Sequence, residues 1–150
     1  MDATTRTQSV PKPVQAARAL LALVGLGHLV IAIVMAARED ALRDGITAQH
    51  PDFGAAEVAR SADIAVVSGA VFHGLLLVLC ALLVVKLASG RPWTRRLAIV
   101  SQLLSVVFGF VSWSSSPMFH AVIPVIAAAQ LAVVVLAWVP RPARDFFTQR

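Results

Sequence analysis

Four apolar stretches, Ala17–Ala37, Ile64–Val85, Leu97–Trp113 and Phe119–Val139, constrain the fold of this 150-residue chain more than any other feature. They run for 21, 22, 17 and 21 residues. A helix needs about 20 mainly apolar residues to cross a bilayer. The third stretch reaches that length by extending through Ser114–Ser116. Arg18, at the very start of the first, is the only Asp, Glu, Lys or Arg in any of them. One such residue at the centre of a span costs about 2.5–3.5 kcal/mol on insertion. The spacing predicts an all-α integral membrane protein, an antiparallel up-down four-helix bundle over residues 16–139. A disordered tail is expected at 1–15 and an interfacial tail at 140–150. The overall balance agrees, with 58% hydrophobic and 14% charged residues, against about 45–50% and about 25% in soluble domains. Four spans with short connections leave room for one bundle and no soluble catalytic domain.

The charges between the stretches sort by side. Met1–Arg18, Lys86–Arg96 and Pro140–Arg150 together carry ten basic and two acidic residues, a sum of +8. Arg38–Asp63 carries three basic and six acidic residues, a sum of −3. The positive-inside rule then predicts both termini and the Lys86–Arg96 loop in the cytoplasm of a cell whose plasma membrane the chain spans. The formal net charge of +5 reads as topology and contact with anionic lipid headgroups, not as a nucleic-acid surface. Trp93, Trp113 and Trp138 fall at the predicted span ends, where amphipathic rings prefer to sit. The tail Arg141–Arg150, which mixes Arg141, Arg144 and Arg150 with the pair Phe146–Phe147, is expected to lie along the inner headgroups. The first stretch exceeds the 7–15 apolar residues of a secretion signal, so it reads as an uncleaved anchor.

The connections carry ordinary stop signals. The first helix is expected to begin near Val14–Gln15 and to continue past the membrane, with Glu39 and Arg43 paired at i,i+4 and Gly45 as its stop. Pro51-Asp52 marks a turn and Gly54 the start of the second helix. Ser89-Gly90-Arg91-Pro92 ends that helix, and Pro124 is expected to kink the fourth. An acidic hairpin would then project outside.

Chemistry in such a chain has to come from polar groups inside the bundle. Counting from the outer span ends, His28, His73, Ser105 and Gln130 lie about ten or eleven residues deep, one on each helix. Polar groups in hydrocarbon seek the bundle interior and one another, so a shared polar layer of these four is expected. Its structural reading is a set of interhelical hydrogen bonds that fix register. Its ligand reading is cofactor binding, with His28 and His73 holding a haem iron or another metal. Gly25, Gly27, Gly69 and Gly74 would make room beside the two histidines. A third reading is a polar path for a small solute, with no intramembrane Asp, Glu, Lys or Arg to couple protons to it.

Other signals are weaker. Ala65, Gly69 and His73, and likewise Ser101, Ser105 and Gly109, form small-residue faces at i,i+4 that permit close helix approach. Packing inside the bundle is the first reading of these faces and a homodimer the second. Met118-Phe119-His120 with His50 is a possible copper set. Cys80 stands alone within the second span, which removes any internal disulfide or CxxC pair, and reads as a small apolar residue. Ser112–Ser116 has no partnered base and reads as a turn.

The segment Gly90-Arg91-Pro92-Trp93-Thr94-Arg95-Arg96 and the exit Trp138-Val139-Pro140 with Phe146-Phe147 resemble motifs of the small, uncharacterised four-span membrane proteins of high-GC Gram-positive bacteria. Thr94 stands where that loop usually has Ala. The resemblance covers the span layout and these two motifs; it implies an integral membrane protein and no mechanism. The function expected from the sequence is therefore a non-enzymatic accessory or scaffolding subunit of a membrane assembly. Its contacts would be membrane lipids and a protein partner or second copy within the membrane. The alternatives are a bis-histidine haem or metal protein of electron transfer and a small-solute channel or carrier.

Overall fold

The computed structural model describes residues 9–113 and 117–148. The disorder expected for residues 1–8 and the serine turn at 114–116 lie outside these. Six α-helices form among the described residues: α1 Lys12–Ala37, α2 Glu39–Gln49, α3 Ala55–Lys86, α4 Pro92–Val111, α5 Val122–Trp138 and α6 Arg141–Thr148. There is no strand among the described residues. Helices α1, α3 and α4 are long and apolar enough to cross a membrane. The 17 residues of α5 qualify only together with α6, across a bend of 64°. Leu23, Leu75, Val85 and Val111 are each more than 60% exposed. Apolar side chains displayed in this number mark a surface that meets lipid or another protein.

Several boundaries follow from local chemistry. Pro13 and Pro92 sit in the first turns of α1 and α4, where a missing N–H costs nothing. Helix α1 therefore starts at Lys12, inside the stretch expected to be disordered. The Gly54 amide donates to the Glu57 carboxylate at 2.9 Å, satisfying one of the orphan donors that open α3. Gly90 adopts φ +68°, the left-handed geometry that reverses the chain between α3 and α4.

Two expectations are corrected. The first helix breaks at Arg38 (φ −119°, ψ 39°), where the apolar sequence ends and α2 turns to pack on α3. Gly45 does not stop it, because α2 runs through that glycine to Gln49, and the Arg43–Glu39 pair forms within α2. Pro124 does not kink a long fourth helix. Helix α5 begins at Val122, so the proline lies in the first turn, where no hydrogen bond is lost.

The helices pack in the order α3, α1, α5, α4, with α1 against both α3 and α5 and α4 against α5. Helices α3 and α4, though consecutive, scarcely touch. The dry core lies at the end that α6 covers. There Val14, Leu21, Val24, Cys80, Leu83, Leu87, Ala98 and Val133 are buried together with Ala143, Phe146 and Phe147 of α6. The two phenyl rings thus turn into the bundle. Arg18 Nε donates to the Val84 carbonyl at 2.6 Å, capping a carbonyl at the end of α3. The Arg95 guanidinium lies 4.3 Å from the Trp138 ring centroid and 5.9 Å from that of Phe147. This cation–π contact ties α4 to α5 and α6.

Candidate functional site

Away from α6 the bundle opens. Because α3 and α4 do not close on each other, a cavity of about 430 Å3 remains between them, backed by α1 and α5. The ends of α1 and α4 and the starts of α3 and α5 surround it, with Leu42 of α2 and Phe119 at its margin. Most of the wall is apolar: Ile31, Met35, Phe72, Val106, Phe108, Ile123 and Ile126. Phe72 and Phe108 meet edge to face at 5.8 Å between centroids and form a bridge from α3 to α4.

All four residues of the expected polar layer line this one cavity. They are joined as two pairs. His28 of α1 and His73 of α3 share a hydrogen bond between their Nδ1 atoms at 3.0 Å, with ring centroids 5.2 Å apart. Phe72 stands edge-on to His73 at 5.4 Å. Gln130 Nε2 of α5 donates to Ser105 Oγ of α4 at 2.7 Å. His28 and Gln130 are buried, whereas His73 and Ser105 are half-buried. Each pair ties two neighbouring helices, and both place polar atoms on the wall of an otherwise apolar space.

The small residues explain the approach of the helices. At Gly25 an added Cβ would stand 3.2 Å from Cys80 Cβ, so α1 and α3 meet closely one turn from His28. Gly27 faces Ile126 of α5 at 3.2 Å. Gly69 lies under Met35, whose Cε would be 2.6 Å from an added Cβ. Gly109 faces Ile123 with ordinary contact at 3.6 Å. The face Ala65, Gly69, His73 thus turns to α1 and the cavity. Ser105 and Gly109 turn to α5 and the same cavity, and Ser101 below them is buried. Gly74 has nothing within 4 Å.

The chemistry open to the histidines follows from their bond. Ligands on opposite sides of one ion stand about 4 Å apart, given metal–nitrogen bonds of about 2.0–2.1 Å. The Nδ1 atoms, at 3.0 Å, are closer than that, so they do not stand as the two opposite ligands of a haem iron. No group of three or more His, Cys, Asp or Glu able to hold a metal occurs among the described residues. His50 and His120 each have a local partner. His120 stacks on Trp113 at 4.3 Å and donates from Nε2 to its carbonyl at 2.8 Å. His50 stacks on Phe53 at 4.6 Å.

Sequence reasoning passed over Gln102. It is 3% exposed, contacts the Ser101 hydroxyl at 3.4 Å and leaves its Oε1 without a partner. Taking one polar residue per helix selected Ser105 and hid Gln102 three residues away. The apolar members of the wall, Met35, Phe72 and Phe108, carry no sequence signal that separates them from lipid-facing neighbours. No protein-family model matches this chain, and neither a curated protein nor a solved structure matches it.

Proposed function

We propose that the chain is a non-enzymatic, multi-pass protein of the plasma membrane that binds a small apolar molecule in the cavity between α3 and α4. The observation that carries this is a space of about 430 Å3 whose wall is mainly apolar but holds two hydrogen-bonded polar pairs. That size and that mixture suit a small-molecule site. The reading develops the small-solute expectation. It favours a binding site or one state of a carrier over an open channel, because Leu21, Val24, Cys80, Leu83 and Val133 fill the bundle toward α6. The accessory-subunit expectation rests on spans, packing faces and short loops, with the acidic hairpin and the basic rim as its contact surfaces. In the proposed orientation the four segments run up and down with both termini cytoplasmic, a reading supported by the charge sums of +8 and −3 under the positive-inside rule. The cavity then lies in the outer half.

Photolabelling tests the reading. Benzophenone, a small apolar probe that reacts readily with methionine, is expected to label Met35 saturably in the protein held in lipid nanodiscs. Gly109→Leu, which fills the space where a Cβ meets only Ile123 at 3.6 Å, is expected to suppress that labelling. Labelling spread over outward residues such as Leu75 and Val85, and unchanged in Gly109→Leu, overturns it.

A further inference from the structure

The end of the bundle away from the cavity carries a charge imbalance. Arg95 of α4 lies against the rings of Trp138 and Phe147, at 4.3 and 5.9 Å. Its Nε is packed away without a hydrogen-bond partner, so the two terminal nitrogens are left to donate outward. The charges that bear on it are those of Arg144 on α6 and of Arg96 beside it, and both are positive. The carboxylate next to Arg144, that of Asp145, is turned to Arg141 at 3.8 Å. Arg95, Arg96 and Arg144 form no ion pair among the described residues. The fold therefore gathers three guanidinium groups from two helices without a counter-charge. Like charges held together repel, and more strongly beside hydrocarbon than in water. An anion seated among them removes that repulsion, and guanidinium forks match the paired oxygens of a phosphate.

The surface next to the cluster narrows the source of that phosphate. On α4, Arg96 stands in line with Val100, Leu104 and Val107 at helical spacing, and all three are more than half exposed. On α5, the exposed Leu131 and Val135 lead in the same way to Trp138, the ring beneath Arg95. Helices α4 and α5 pack side by side. Two apolar tracks thus run along the wall, each ending at the cluster. A free phosphate uses neither track, whereas a two-chain phospholipid uses both. Trp138 at the end of its span suits the depth of a headgroup. A zwitterionic lipid brings an ammonium group into the same positive cluster and loses the electrostatic gain.

We infer that Arg95, Arg96 and Arg144 form a site for one anionic phospholipid, its phosphodiester among the three guanidinium groups and its acyl chains along α4 and α5. This is a discrete site, beyond the diffuse attraction of a basic rim to anionic lipid. It rests on the membrane-spanning part of the reading above and not on the cavity.

The experiment adds phosphatidylglycerol or phosphatidylcholine of the same acyl chains to the full chain in mild detergent and counts bound lipids by native mass spectrometry. One phosphatidylglycerol is expected to bind first, about tenfold or more tighter than phosphatidylcholine. Arg144→Gln, at an exposed position, is expected to cut that preference to about threefold or less. Arg96→Gln provides the same comparison should Arg144→Gln fail to fold. Lys12→Gln removes one charge at the same end of the bundle, outside the cluster, and is expected to leave the preference within about twofold. Equal losses in Lys12→Gln and Arg144→Gln overturn the site in favour of diffuse attraction. Phosphatidylcholine bound as tightly as phosphatidylglycerol overturns the requirement for an anion. Inorganic phosphate at millimolar concentration is expected to leave the lipid in place; if it displaces the lipid, the site belongs to free phosphate and the inference fails. A chain that stays in solution without detergent or lipid overturns the membrane reading along with the inference.

Discussion

The half of the bundle under α6 and the half facing α2 use the same apolar residues to opposite ends. Under α6 the helices α1, α3, α4 and α5 all contribute to a closed core, and the rings of Phe146 and Phe147 seal it with 1% exposure each. Toward α2 the chain contains rings just as large, yet Phe108 remains 46% exposed because it meets α3 only at the ring of Phe72. The difference comes from connectivity. The short turn through Gly90 holds α3 and α4 together at one end, and each then follows a different neighbour, α1 or α5. In lipid an apolar side chain gains little by leaving one apolar surface for another, so association depends on close packing and polar pairs. A bundle of this kind can leave a space in its wall without the penalty a soluble core would incur.

The largest test of this contrast is one substitution made in each half. Phe146→Ala removes a ring packed on all sides and is expected to destabilise the protein by about 3–5 kcal/mol, a clear fall in Tm in detergent. Phe108→Ala is expected to cost less than about 1 kcal/mol, since its ring touches Phe72 on one side and open space on the other. Equal losses at both positions would mean that the α2-facing half is packed as tightly as the other.

Glycines extend the comparison at smaller scale. Gly90→Ala places a side chain in a left-handed conformation, costing about 1–2 kcal/mol. It also sets a Cβ 3.1 Å from the Phe146 carbonyl oxygen and 3.2 Å from its ring. Gly69→Ala has the closer clash on paper, 2.6 Å to Met35 Cε. That atom is the tip of a flexible chain beside a cavity, and it can move away at little cost. The expected order of thermal stability is therefore wild type, Gly69→Ala, then Gly90→Ala, although the distances alone give the reverse order for the two variants.

The polar pairs rank next. A double-mutant cycle of Ser105→Ala with Gln130→Leu is expected to return a coupling of about 0.6–1.7 kcal/mol, the range of interhelical hydrogen bonds in membranes. A coupling indistinguishable from zero in reversible unfolding would show that the 2.7 Å contact is not maintained, and the α4–α5 seam would then rest on apolar packing alone.

How much of this was legible in the sequence follows the same division. The length and polarity of a span are properties of one helix, so three of the spans, the start at Gly54 and the turn at Gly90 could be read directly. His28, His73, Ser105 and Gln130 stood out because a polar group in hydrocarbon has few places to go. Which pairs would form depended on which helices are neighbours, and hydropathy is silent on that. Lipid and protein interior are equally apolar, so periodicity does not tell the lipid-facing side of α3 from the side facing α4. The inward turn of Phe146 and Phe147 was hidden for the same reason, since an apolar pair beside arginines suits a headgroup layer as well as a bundle base. The break at Arg38 and the passage of α2 through Gly45 depended on where α2 finds support, which is on α3.

The smallest effect lies outside both halves and asks whether α2 belongs to either. Gly45 sits in mid-helix with ordinary helical geometry and nothing within 4 Å of an added Cβ. Alanine there gains the difference in helix propensity, about 0.8–1.0 kcal/mol, without steric cost. Helix α2 has no buried residue, so it opens without disturbing the core. Its amides are therefore expected to exchange about four- to fivefold more slowly in Gly45→Ala, while the Tm of the bundle stays where it was. If the Tm rises with the protection of α2, then α2 unfolds with α3 as one unit. The margin of the cavity at Leu42 would then be as firmly held as its floor, and the contrast between the two halves would reduce to the gap between α3 and α4 alone.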